Sequence, residues 1–417
     1  MKITCCAFLA LILCNFSLVA KSQQSSDVTA AQQSARSTDN SASTDQARAD
    51  RSREVVVNGP SENKLAGTFL LPAGTSPARR VPAVVFITGS GLQDRDETIF
   101  GHKPFRAIAM MLAQVGIASI RCDDRGFGKS TGDPALATTF DFLEDAQAQV
   151  AWLRSQPEID PKQIGVVGHS EGGLIGLLMS QAPEPAMNFA VLLAPPGISG
   201  GEILTGQSED MYTNMNVQPM LKAFALEKHR EMMDAVAANA DEATLTLAMR
   251  ALVEAQFDCV MKVKPSDATI ETTVKQGLAQ VSSPWMRTFI SIDPLPAIRR
   301  IGVPMLILFG ERDVQVSPAR NVPPFQSGSV ESPVKPEIVI VPKANHLFQP
   351  AITGMPDEYA TIKVEMDPDV LKKIGDWVVA KTNSQPNSQP NSQPNGASIA
   401  APLAQPSVPV ASPKSSP

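Results

Sequence analysis

The chain has 417 residues, of which 43% are hydrophobic and 19% charged, and its formal net charge is −6. That is the make-up of a globular protein with a sizeable core, and it excludes a basic nucleic-acid binder. Aromatic residues make up 5% of the chain, which disfavours a surface built to stack sugars or bases.

Taken in chain order, residues 1–22 read as a secretory signal. Lys2 supplies the positive start, Cys5 to Ala20 is almost entirely apolar, and Ala20-Lys21-Ser22 is a small-x-small cleavage site. The rival reading is an uncleaved membrane anchor, but Asn15 and Ser17 interrupt the run and it falls slightly short of a comfortable span, so cleavage with no stable membrane span afterwards is expected. Residues 23–53 are mostly Ser, Gln, Ala, Thr and Asp, too polar to offset chain entropy by burial, and read as a disordered linker. Cys5, Cys6 and Cys14 leave with the signal. Cys122 and Cys259 are then expected as ordinary thiols, and without a Cys-x-x-Cys pair no zinc site is indicated.

Residues 54–197 carry alternating strand and helix signals. Val55–Val57 and Lys64–Leu71 read as an antiparallel pair, and Val84–Ile87 as a strand running into Thr88-Gly89-Ser90-Gly91. From Lys103 to Gln114 the apolar residues Phe105, Ile108, Met111 and Leu112 share a helix face, stopped by Gly116. The strand Ile117–Ile120 and a helix over Phe140–Arg154 follow, then the buried strand Ile164–Val167 and the strand Phe189–Leu193. Residues 198–302 are helical and rich in Met, Ala, Glu and Leu. They interrupt the alternation and read as a cap over the carboxyl edge of a mostly parallel, doubly wound sheet. Strands resume at Met305–Phe309 and Ile338–Val341 within residues 303–381, closed by a helix over Pro368–Ala380. Residues 382–417 repeat Asn-Ser-Gln-Pro and then run in Ala, Pro and Ser, a low-complexity tail.

The strand Ile164–Val167 ends in Gly168-His169-Ser170-Glu171-Gly172, and an apolar helical run follows at once. Strand, glycine-flanked serine and helix make a nucleophile elbow with Ser170 as nucleophile. A serine hydroxyl needs a base, and the chain holds four histidines. His169 is the elbow's own variable residue, His102 lies in an early loop, and His229 sits in the charged run Glu227-Lys228-His229-Arg230-Glu231, read as a solvated face. His346 follows the last apolar strand and is the candidate base. Asp313, after Met305–Phe309, completes the chain order Ser, Asp, His, with Asp293 and Glu311 as weaker candidates. Charge developing on an acyl oxygen calls for backbone donors, assigned to the amides of Glu171 and Ser90. The runs Gln93–Glu97 and Asp123–Arg125 read as charged loop scaffolding.

These runs, with Gly101-His102-Lys103-Pro104-Phe105 and Asp124-Arg125-Gly126-x-Gly128-x-Ser130, resemble the bacterial α/β-hydrolases of the esterase and serine-aminopeptidase-like group. The resemblance covers about Val55 to Ala380. It implies the α/β-hydrolase fold, the triad Ser170, Asp313 and His346, and catalysis without metal or organic cofactor. The group's common His-Gly before the oxyanion loop is Thr88-Gly89 here. The expected function is an exported serine hydrolase, a carboxylesterase on small or medium acyl esters. Its partner is then a small-molecule ester and not nucleic acid. An aminopeptidase or other amide hydrolase on the same triad is the alternative, needing a cap carboxylate such as Glu202, Glu209 or Asp210 for the free amine. A noncatalytic binding protein on a hydrolase fold is the reading from another class.

Overall fold

A computed structural model describes residues 52–181, 187–261 and 263–383. The segment read as a signal, nearly all of the linker and nearly all of the tail lie outside the described residues. Eight strands form one sheet: β1 (Ser52–Asn58), β2 (Lys64–Leu70), β3 (Val81–Ile87), β4 (Ala118–Cys122), β5 (Ile159–His169), β6 (Phe189–Leu193), β7 (Met305–Gly310) and β8 (Glu337–Val341). Their order is β1-β2-β4-β3-β5-β6-β7-β8. β2 runs antiparallel to both β1 and β4, and every later pairing is parallel. This is the α/β-hydrolase architecture. β4, β6 and β7 are buried along their whole length, because helices cover a parallel sheet on both faces, and β6 and β7 accordingly read as unbroken apolar runs.

The core helices are α1 (Pro104–Gln114), α2 (Thr139–Ser155) and α3 (Glu171–Met179), followed after the cap by α10 (Pro318–Gly328) and α11 (Pro368–Asn383). Thr138 caps α2 reciprocally with Asp141, which fixes where that helix starts. β1 opens at Ser52 and α11 ends at Asn383, each two residues beyond the boundary read from the sequence.

Among the described residues six helices stand between β6 and β7: α4 (Gly200–Asn214), α5 (Pro219–Ala237), α6 (Glu242–Val260), α7 (Asp267–Val281), α8 (Pro284–Ser291) and α9 (Leu295–Ile298). Met232, Met233, Met249 and Leu252 are buried among them. Here the structure corrects one expectation. His229 is buried, not solvated, and its Nδ1 lies 3.0 Å from the Thr205 hydroxyl. It falls three or four residues from the buried Ala225, Leu226, Met232 and Met233, so helical periodicity places it on the packed face despite its charged neighbours. Burial, with Arg230 nearby, pulls its pKa down to about 4.

Cys122 is buried at the end of β4 and Cys259 half-buried in α6, both as free thiols. Among the described residues no helix is long and apolar enough to cross a membrane.

Candidate active site

Ser170 occupies the one-residue turn between β5 and α3, with φ 54° and ψ −118°. This left-handed conformation costs a non-glycine residue about 1–3 kcal/mol and is held by its surroundings. The Ser170 N–H donates to the Leu193 carbonyl at 2.8 Å. A Cβ at Gly168 would stand 2.1 Å from the Gly172 carbonyl oxygen, and one at Gly172 would stand 2.0 Å from that of Ile87. The turn closes because both flanking positions lack side chains.

Asp313 and His346 reach the same sheet edge on the loops after β7 and β8. Those loops are stitched together: Glu311 N–H donates to Val341 O at 2.9 Å and Arg312 N–H to Ala344 O at 2.8 Å. Asn345 shapes the histidine loop by accepting from the amides of Leu347 and Gln349. His346 Nδ1 lies 2.7 Å from Asp313 Oδ2, and Asp313 Oδ1 accepts from the amides of Gln315 and Val316 at 2.7 and 2.9 Å. Burial works against ionisation of Asp313. The charge and hydrogen bond of His346 and the two amides outweigh it, holding the carboxyl below its usual range. His346 and Ser170 line one cavity of about 60 Å³, together with Ser90, Ile99, Phe100 and Tyr359. The structure therefore brings the sequence-predicted Ser170, Asp313, His346 and Ser90 to one rim.

The weaker acid candidates are engaged elsewhere. Glu311 accepts from the Lys343 amide at 2.7 Å, and Asp293 from the amide of Leu295 at 2.9 Å. His102 Nε2 lies 2.9 Å from the Tyr359 carbonyl oxygen.

Sequence reasoning passed over His169 and Glu97. The His169 ring is buried and spans the site, its Nδ1 2.9 Å from Glu97 Oε1 and its Nε2 3.0 Å from the His346 carbonyl oxygen. Burial disfavours a charged ring there, yet the adjacent Glu97 carboxylate prevails and pushes its pKa up. Glu97 Oε1 also accepts from the Gly89 N–H at 2.7 Å. That amide is thus engaged within the loop.

The Gln93–Glu97 and Asp123–Arg125 runs do brace loops. Arg95 pairs with Asp123 at 2.8 Å, and Arg125 with Asp145 at 2.7 Å. Asp124 departs from the expected charge pairing. It accepts from the Thr88 hydroxyl at 2.7 Å and the Gln93 amide at 2.8 Å, and burial drives its carboxyl well above the usual range. Thr88, where the resembled group carries histidine, serves as that hydroxyl donor.

Glu171 is the first residue of α3, so its N–H has no intrahelical acceptor and points outward at the positive end of the helix. Its side chain is buried. Oε1 accepts from the Thr139 hydroxyl at 2.6 Å and from Trp285 Nε1 on α8 at 2.9 Å, and the nearby Ser90 hydroxyl favours the ionised form of this carboxyl. The cap acids have other duties. Glu202 completes the reciprocal cap of α4 with Ser199, while Glu209 and Asp210 both bind Arg320 of α10. Among the described residues no cluster of three or more His, Cys, Asp or Glu side chains is arranged to hold a metal ion.

Comparison with known proteins gives a family. The family model described as X-Pro dipeptidyl-peptidase (S15 family) matches residues 59–327. Esterase EstD of Thermotoga maritima is 26% identical over 331 residues, covering 78% of this chain and 67% of that protein. An uncharacterized protein of Mycobacterium tuberculosis is 27% identical over 152 residues, 36% of this chain and 48% of that protein. Among solved structures, an esterase of Pyrococcus furiosus superposes with a TM-score of 0.48 at 15% identity, covering 84% of this chain and 97% of its own.

Proposed function

Because this chain belongs to the X-Pro dipeptidyl-peptidase (S15) family, we propose that it is a serine hydrolase whose working substrates are small or medium acyl esters. The observation that carries this reading is the 2.7 Å bond between His346 Nδ1 and Asp313 Oδ2, on a histidine that shares one cavity with Ser170. Asp313 holds the Nδ1 proton, which leaves Nε2 as the base. Ser170 Oγ attacks the acyl carbon and His346 takes its proton. The amides of Glu171 and Ser90 receive the charge that develops on the carbonyl oxygen. The tetrahedral intermediate collapses, the alkoxide leaves as alcohol with the proton from His346, and the acyl group stays on Ser170. Water, deprotonated by His346, then releases the acid and restores the serine.

Ester in preference to peptide rests on two supports. The relative matched over most of this chain is named an esterase. An exopeptidase must hold a free amine with a carboxylate, and the cap candidates Glu202, Glu209 and Asp210 already pair with Ser199 and Arg320. The test is kcat/KM on nitrophenyl esters of increasing acyl length beside X-Pro and single-residue nitroanilides. Efficient ester turnover with slow anilides is the expected result. Rapid X-Pro anilide cleavage with inert esters would overturn the assignment.

We also propose that the enzyme works outside the cytoplasm, on the strength of the apolar run Cys5–Ala20 and its Ala20-Lys21-Ser22 site. Fractionation of a bacterial host expressing the full chain should place a shortened protein outside the cytoplasm. A full-length cytoplasmic product would count against it.

A further inference from the structure

Resting on the reading just given, we propose that Trp285 of the cap is a positioning residue for the oxyanion site. It acts through the Glu171 carboxylate, which ties the seating of the cap to the two amides that receive the developing charge.

One carboxylate joins four segments. Glu171 belongs to α3 directly behind the nucleophile, Thr139 to α2, Ser90 to the loop after β3, and Trp285 to α8 of the cap. Trp285 Nε1 sits between the two carboxylate oxygens at 2.9 and 3.0 Å, Thr139 Oγ1 is 2.6 Å from Oε1, and the nearby Ser90 hydroxyl also favours the ionised form. Burial pushes the Glu171 carboxyl above its usual range and these neutral donors oppose that shift, so its ionised form depends on each being in place.

The two residues whose side chains meet here are those whose amides form the oxyanion site. Glu171 is fixed by a helix whose Leu174, Ile175 and Leu177 are buried. The Ser90 loop and the cap both meet at this carboxylate. The Trp285 ring also stacks on Phe289, with centroids 5.2 Å apart and planes 13° from parallel, so α8 sets where its N–H points. Outright loss of one oxyanion donor costs about 10²–10³ in kcat, so a displaced donor costs a fraction of that.

The experiment is a cycle of Trp285→Phe, Ser90→Ala and the double variant, read by kcat, KM and the inhibition constant of an alkylboronic acid, which forms a charged tetrahedral adduct on serine. Trp285→Phe keeps the stacking ring and removes the N–H. The expected result is a kcat loss of about 10-fold with KM within about twofold, and boronate inhibition weakened by a similar factor. The double variant should lose less than the product of the single losses, because both substitutions act through one carboxylate. Unchanged kcat in a well-folded Trp285→Phe protein overturns the inference. So does a loss shared by kcat and KM with strictly multiplicative behaviour in the double variant. If Trp285→Phe does not fold, Ser90→Ala decides: unaltered kcat and boronate inhibition overturn the coupling. Inactive wild-type protein, or an active Ser170→Ala variant, would instead defeat the underlying esterase reading.

Discussion

On the sheet side of the cleft, Asp313, His346, His169 and Glu97 are joined by hydrogen bonds of 2.7–3.0 Å between buried groups. The cap reaches the same region through Trp285 on Glu171 and through the pairing of Glu209 and Asp210 with Arg320, an ion pair still partly open to solvent. The proposed chemistry is thus assembled on loops of the sheet, and the cap adjusts it from outside. Changes on the sheet side should abolish turnover with the fold intact. Changes in the cap should act by degrees or through stability.

The sharpest break of that contrast is Ser170→Ala, which should lower ester turnover by roughly 10³–10⁶-fold while the thermal unfolding midpoint stays near that of the parent. Next comes Asp313→Asn, expected to cost roughly 10³–10⁴ in kcat, because the amide no longer fixes the His346 tautomer. Steady-state kinetics with circular dichroism reads both. A cap substitution of comparable effect would erase the distinction between the two halves.

Stability effects come next. Burial keeps folded His229 neutral down to about pH 4, whereas the unfolded chain takes up that proton near its ordinary value of about 6.5. Below that point the unfolded state binds a proton that the folded state refuses. Stability should therefore decline as pH falls from about 6.5 to about 4, by on the order of 3 kcal/mol. Urea unfolding at pH 7 and pH 4.5 measures this, and His229→Gln should flatten the difference. Gly172→Ala places a Cβ 2.0 Å from the Ile87 carbonyl oxygen and should cost about 1–3 kcal/mol. The smallest effect is expected for Arg320→Ala, about 1 kcal/mol, since the pair it breaks is partly exposed. It should appear as a lower unfolding midpoint with kcat changed less than in Trp285→Phe.

The sheet was legible in the sequence because buried parallel strands leave unbroken apolar runs such as Val84–Ile87 and Met305–Phe309. The elbow was legible because steric closure demands glycine at 168 and 172. Asp313 and His346 followed from their places after the last two core strands. What stayed hidden depends on contacts distant in the chain. Glu97 and His169 are 72 positions apart and Glu171 and Trp285 are 114 apart, and nothing in either local run announces its partner. His229 was misread because four charged neighbours masked a helical face that its spacing to Leu226 and Met233 does disclose.

The central claim is that Ser170 is a nucleophile activated by His346. Treating the folded protein with a fluorophosphonate and locating the adduct by peptide mass spectrometry tests it most directly. The account predicts one adduct, on Ser170, whose formation slows severely in His346→Ala. Labelling at another residue, or a Ser170 that reacts equally fast without His346, would contradict it.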